Sequence, residues 1–150
     1  MISESHEKPR KVKRKVQIVV FTRTPETRVL ILRRPPDRGS IWQPVTGNVD
    51  SRDLSLVEAA RRELSEETGI TQVRAIRDTG VDFHFRKGDA DVVERLIAVE
   101  TPGIMDVVIS DEHVAAAWLP ADAALDRMEW ETNREGVRRV LTDPTDRRPR

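Results

Sequence analysis

The sequence predicts a single α/β domain, a mixed sheet with helices packed against it. Three observations carry this. The chain has 150 residues, enough for one core and too few for two. Short β-branched runs are spread from Val16 to Leu119, the mark of a multi-stranded sheet. Segments with helical spacing interrupt those runs irregularly instead of alternating with them.

Residues 1–13 are polar and basic with a proline, and are expected to be a frayed, disordered segment, with the domain covering 14–141. "VQIVVFTR" from Val16 and "RVLILRR" from Arg28 read as two strands of a hairpin, joined by the turn-forming "TPET". "RRPPDRGS" is read as a loop, because paired prolines remove donors and fix φ. "IWQPVTGNV" reads as a short strand broken near Gly47. From Leu54 to Thr68, Leu54, Val57, Ala60 and Leu64 recur at helical intervals, and Gly69 stops the helix as a left-handed cap. "QVRAIRD", "VDFHFRK", "VVERLIAVET" and "HVAAAWLP" read as further strands. "PADAALDRM" and "TNREGVRRVL" read as a short and a longer helix, and residues 142–150 as a disordered tail.

Composition narrows the function. Twenty-six basic residues balance 26 acidic ones, so the chain is not a generic nucleic-acid coat. The basic run Lys8 to Lys15 lacks the interleaved aromatics that stacking on single strands needs. There is no cysteine, so a metal would be held by oxygen or by one of three histidines, and carboxylates favour magnesium or manganese. No window is long and apolar enough to span a bilayer, and a cytoplasmic protein is expected.

"RELSEETGI", Arg62 to Ile70, concentrates the chemistry. Glu63, Glu66 and Glu67 stand at i, i+3 and i+4 and project from one helical face. Such runs are usually solvated faces. Here, however, they occupy the last turns of the helix, where the macrodipole disfavours negative charge. Gly47, Asp50 and Asp53 precede them on a loop, and Arg62 is adjacent to orient or neutralise a carboxylate. A shared cation is the better explanation.

The stretch from Gly47 to Ile70 resembles the signature of the Nudix hydrolases. Arg62, Glu63, Leu64, Glu66, Glu67, Gly69 and Ile70 match its C-terminal half. Counted from Gly47, the arginine comes one residue late, so the loop holds an insertion and Asp53 replaces the expected glutamate. The resemblance implies an α/β/α sandwich with a mixed sheet, a Mg2+ cofactor (or Mn2+), and hydrolysis of a phosphoanhydride. It makes Glu63 and Glu67 metal ligands, Glu66 a ligand or water-activating base, and Arg62 the group that orients Glu63.

"IWQPVTGNVD", "EHVAAAWLPADAAL" and "NREGVRRV" are similar to the dihydroneopterin triphosphate pyrophosphatases within that family. This implies a small nucleotide-like triphosphate as partner, with pyrophosphate released. It also makes Glu112 a further ligand or base, where the residue alone would read as an exposed acid. Trp42, Gln43 and Thr46 are placed to touch substrate, although Trp42 serves equally well as core. Arg34 or Arg33 can hold a terminal phosphate, with at least one expected to be a plain surface cation. His84 and His113 are read as strand residues, and Trp118 and Trp130 as packing. Rival substrates are nucleoside triphosphates, diadenosine polyphosphates, an RNA 5′ end as the one nucleic-acid partner allowed, and nucleotide sugars. The rival class is a non-catalytic nucleotide-binding module.

Overall fold

The computed structural model describes residues 10–143. A seven-stranded mixed sheet runs β3-β2-β1-β6-β5, with β4 also paired to β1 and β7 to β2. Its strands are β1 (Lys11–Thr22), β2 (Arg28–Arg33), β3 (Trp42–Gln43), β4 (Val45–Asn48), β5 (Ala75–Lys87), β6 (Ala90–Thr101) and β7 (Ala115–Leu119). Among these pairings β1 and β6 run parallel and the others antiparallel.

Alternation along β1 sends its side chains to two different cores. Val16, Ile18 and Val20 pack with Ala59, Ala60 and Leu64 of α1 (Leu56–Thr68). Val19 and Phe21 pack with Ala124 of α2 (Ala121–Arg127) and Val137 and Val140 of α3 (Glu131–Thr142). Helices therefore cover both faces, and the sandwich that the resemblance implied is present. None of the described helices is long and apolar enough to cross a membrane.

Several expectations are corrected in detail. The frayed segment assigned to residues 1–13 lies outside the described residues up to residue 9, whereas Lys11, Val12 and Lys13 begin β1, paired with Ala90, Asp91 and Val92. Composition suggested disorder there, but backbone pairing with β6 supplies the order. Of the expected tail, residues 144–150 lie outside the described residues, and Thr142 closes α3. The strand expected to break at Gly47 breaks at Pro44 instead, which has no N–H to give to the ladder. The proline loop contains one 3-10 turn, Pro36–Arg38, ended by Gly39 at φ 88°. "QVRAIRD" and "VDFHFRK" form one strand, with the register shift between Asp78 and Asp82 taken up around Gly80.

Helix α1 starts two residues later than its apolar spacing suggested. Ser55 is the N-cap, its hydroxyl accepting from Glu58 N–H at 3.1 Å. Leu54 consequently belongs to the preceding loop and is 94% exposed, and Leu56 takes its place against the core. Gly69 closes the helix at φ 73°, donating its N–H to Ser65 O as the left-handed cap requires.

Candidate active site

The last two turns of α1 do not treat the three glutamates alike. Glu63 and Glu67 are buried, beside the stripe of Ala60 and Leu64, whereas the Glu66 side chain is 54% exposed. Glu63 lies against β4 at Gly47, where a Cβ would overlap its carboxyl carbon. The glycine is there for space, since its φ is not among the positive ones.

Arg62 ties the loop before the helix to the acids on it. It donates through Nε and Nη2 to Asp53 at 3.0 and 2.9 Å, through Nη1 to Glu63 Oε1 at 3.0 Å and Glu66 Oε2 at 3.2 Å, and through Nη2 to Asn48 O at 2.9 Å. A planar fork with five N–H donors can satisfy that set, and an ammonium cannot. The loop is closed in turn by Asp53 N–H donating to Asp50 O, and Asp50 N–H to the Asp53 carboxylate. Asp53 is thus engaged with Arg62 and the loop backbone, and the hydrogen bonds hold its carboxyl below its ordinary value.

Glu67 faces the loop that precedes β7. It accepts from Ser110 Oγ at 2.8 Å, and Val108 N–H donates to Thr68 O, pinning that loop to the helix end. His113, expected in a strand, is in this loop and buried. Its Nδ1 lies 3.1 Å from Glu67 Oε2, yet the approach lacks hydrogen-bond geometry and both ring nitrogens are unpartnered among the described residues. Burial, with the nearby Arg34 charge, lowers the His113 pKa, so the ring is neutral near pH 7 and the contact is not an ion pair. Burial pushes Glu67 up to about 7, against the Ser110 hydrogen bond and with repulsion from Glu112 and Glu63 adding to it. Burial also raises Glu63, with Arg62 opposing and Glu66 and Glu112 contributing repulsion.

Glu63, Glu66, Glu67 and Glu112 all line a cavity of about 230 Å³. Lys13, Lys15, Lys87, Arg34 and Arg38 line it too, so cations and acids share one space of phosphate dimensions. Through Lys15, Arg34, Thr46 and Lys87 it adjoins a larger cavity of about 520 Å³. Gln43, Phe85, Glu94, Trp130 and Asn133 add to the walls of the larger space.

Most of the residues singled out in the sequence meet here. Arg62, Glu63, Glu66, Glu67 and Glu112 form the acidic side, and Arg34, Gln43 and Thr46 line one or both cavities. Trp42 lines neither. Arg33 and Arg127 stack on its ring at 6.0 and 5.3 Å from the centroid, and it packs on the α2–α3 core, so the packing reading describes it. Trp130, read as packing, is 48% exposed and walls the larger cavity. His84 is exposed on β5.

Sequence reasoning missed Lys15, Lys87, Glu94, Ser110, His113 and Asn133. For two of them a signal existed. Glu94 interrupts the buried alternation Val92, Leu96, Ala98, and Lys11, Lys13 and Lys15 recur with period two on the face that Gln17 continues.

A divalent cation suits this donor set. The candidate donors are carboxylate oxygens, hard ligands for Mg2+ or Mn2+. Burial raises Glu63 and Glu67, with repulsion among the acids adding to it, and a dication would offset both effects. Among the described residues no three acidic or histidine side chains converge as a ready ligand group. Glu66 or Glu112 would therefore have to rotate toward Glu63 and Glu67 to complete a shell.

An α/β/α sandwich that holds a helix-borne carboxylate cluster against a cation-lined cavity defines a class of anion-handling, metal-suited domain. The particular family follows from comparison: the NUDIX domain matches residues 13–140, and the chain belongs to the Nudix family. It is 39% identical over 126 residues to the octanoyltransferase of Myxococcus xanthus, covering 81% of this chain and 34% of that protein. It is 34% identical over 118 residues to the 8-oxo-(d)GTP phosphatase of Mycolicibacterium smegmatis, covering 79% and 35%. The chain thus spans about a third of the length of these two relatives. The dihydroneopterin triphosphate diphosphatase of Escherichia coli is 30% identical over 144 residues, with 86% of this chain and 93% of that one covered. The solved E. coli dihydroneopterin triphosphate pyrophosphohydrolase superimposes with a TM-score of 0.74 at 26% identity, covering 87% and 98%.

Proposed function

We propose that the protein is a divalent-metal-dependent pyrophosphohydrolase that cleaves a phosphoanhydride of a nucleotide-like triphosphate and releases pyrophosphate. The observation that carries this is the joining of two cavities. One of about 230 Å³ is lined by Glu63, Glu66, Glu67 and Glu112 together with five cations, and it opens beside one of about 520 Å³ with Phe85 and Trp130 in its walls. The first fits a phosphate chain and the second an aromatic ring system.

Glu63 and Glu67 would hold Mg2+, with Glu66 completing the set. When bound, the ion supplies neutralisation of phosphate charge and a site for the attacking water. The chain's own residues do the rest. Arg62 keeps Glu63 in place through Oε1. Lys15, Lys87 and Arg34 bind phosphate oxygens and align the chain for in-line attack. Glu112, approaching from the facing loop, accepts the proton of the water as its oxygen bonds to phosphorus and the bridging P–O bond breaks. The site does not need to bind the whole substrate more tightly than this. Stabilising the charge that develops on the leaving pyrophosphate is what accelerates the step.

Dihydroneopterin triphosphate is the favoured substrate, supported by coverage of nearly the full length of the E. coli enzyme. An 8-oxoguanine nucleoside triphosphate is the second reading, supported by the higher identity to the M. smegmatis phosphatase. A panel of these two with diadenosine polyphosphates, nucleotide sugars and triphosphorylated RNA, assayed with Mg2+ for pyrophosphate and phosphate, decides between them. Turnover of the pterin at least 10-fold above the rest supports the first reading. Absence of cleavage across the panel overturns the enzymatic one in favour of a binding module.

A further inference from the structure

The floor of the larger cavity carries polar groups that the reaction does not use. Glu94 is 4% exposed and lines the cavity from β6. Its position follows from the β1–β6 register, in which it is the direct cross-strand partner of Lys15. Gln17, two residues along β1 and fully buried, donates Nε2 to Glu94 Oε1 at 3.0 Å and also contacts Thr132 O at 3.3 Å. Gln17 is itself wedged against Gly136 of α3, where a Cβ would overlap its Oε1. The Glu94 carboxylate is therefore held from one side, and Oε2 has no hydrogen-bond partner among the described residues. On α3, Asn133 is 3% exposed, lines the same cavity, and leaves Oδ1 without a partner.

A buried acceptor such as Asn133 Oδ1 is costly unless something donates to it, and Glu94 lines the same cavity with one carboxylate oxygen still available to a donor. Between aromatic walls, that donor is a flat heterocycle with adjacent N–H groups on one edge. We propose that Glu94, held by Gln17 and assisted by Asn133, is a specificity-determining residue that reads the N–H and amino donors of a 2-amino-4-oxopyrimidine ring, the edge shared by pterins and guanines. This rests on the proposed triphosphate reading and deepens it. The chemistry is selective. A carboxylate accepts two parallel N–H bonds from the ring N–H and the 2-amino group, whereas adenine turns a ring lone pair, and xanthine a 2-oxo oxygen, toward it. Sites built around a hydrogen-bonded group reject analogues lacking it far more strongly than apolar pockets do. Burial raises the Glu94 pKa, and the Gln17 hydrogen bond, with the Lys15 and Lys87 charges, opposes that rise.

The test compares GTP, ITP, XTP and ATP as substrates of the full chain with Mg2+, and measures guanosine and neopterin binding by calorimetry without metal, in the wild type and in Glu94→Gln. Wild-type kcat/KM is expected to fall by about 10-fold or more from GTP to ITP, which lacks the amino group, and further to XTP and ATP. An amide at position 94 presents a donor, so Glu94→Gln should lose the GTP preference and gain on XTP. A merely structural glutamate would lower all four rates together. Equal wild-type rates on the four, or a uniform loss in Glu94→Gln, overturns the proposal and leaves the pyrophosphohydrolase reading standing. Should none of the four, nor dihydroneopterin triphosphate, be cleaved, that reading falls and calorimetry still decides: guanosine binding that Glu94→Gln abolishes supports the role of Glu94, and no wild-type guanosine or neopterin binding overturns it. Should Glu94→Gln not fold, the wild-type ratio of GTP to ITP alone decides.

Discussion

Gly47 and Glu63 are in such close contact that no side chain larger than hydrogen fits between β4 and the carboxylate. The backbone at Gly47 has no positive φ that would otherwise require glycine. What the residue provides is room for a functional group on a different element.

Gly47→Ala is accordingly expected to separate activity from stability. The obstructing atoms are the end of a flexible side chain, so the fold can adapt by swinging Glu63 aside, within about 1 kcal/mol in chemical denaturation. Displacing the carboxylate by the order of an ångström should lower metal-dependent turnover roughly 100-fold. Steady-state rates beside a urea melt measure both, and an unaltered kcat would show that Glu63 is not where the chemistry needs it.

Glu67 predicts an unusual pH dependence in the presence of chelator. Its carboxyl keeps a proton up to about 7 in the folded state, and releases it near 4.5 in the unfolded chain. Between those values the unfolded state binds fewer protons, so stability falls as pH rises through this window and is greatest below it. The loss should be on the order of 1–3 kcal/mol. Mg2+ should offset it, and Glu67→Gln should abolish turnover and flatten the pH slope and the Mg2+ effect down to the share that the raised Glu63 contributes. Melting temperatures from pH 4 to 8 with chelator or Mg2+ test the set. A flat chelator profile would mean that burial does not govern this carboxyl.

Arg62→Lys keeps the charge and discards the fork. Six contacts to Asp53, Glu63, Glu66 and Asn48 O cannot be reproduced by one ammonium. A stability loss of about 1–3 kcal/mol is expected, together with a fall in turnover. Asp53, lowered by its Arg62 bonds, contributes stability above its ordinary value of 3.8 that is lost as pH falls through the lower folded value. In Arg62→Lys this acid-side loss should shift to higher pH, which acid titration by circular dichroism reads directly. Identical acid midpoints in the two proteins would break the assigned link between Arg62 and Asp53.

What could be read from the sequence was local. The spacing of Arg62, Glu63, Glu66, Glu67 and Gly69 lies within one helix, so period and cap place the acids without knowledge of the sheet. Leu54 shows the limit of the same reasoning: apolar identity extended the helix backward, while the Ser55 hydroxyl determined where it begins. "QVRAIRD" and "VDFHFRK" read as two strands and belong to one bulged strand, because β6 continues the ladder on both sides of the register shift between Asp78 and Asp82. Lys15 and Glu94 could not be paired from sequence, since only the parallel register of β1 with β6 makes them neighbours. Trp130 and Asn133 reach the cavity from the α2–α3 connection and α3, a placement set by packing on the second core.

The twelve-residue ladder between β1 and β6 also bears on how the protein comes to exist. Each β1 residue from Lys11 to Thr22 meets a partner 79 positions further along the chain. Contacts so distant in sequence carry a large loop-closure cost and form late. During synthesis β1 must therefore wait, with one long edge open, until β6 has left the ribosome, although its hairpin with β2 and the acidic helix can form earlier. Glu94 joins Lys15 and Gln17 only when that ladder closes, so a truncated chain ending before Ala90 would carry the acidic helix and lack the floor of the larger cavity.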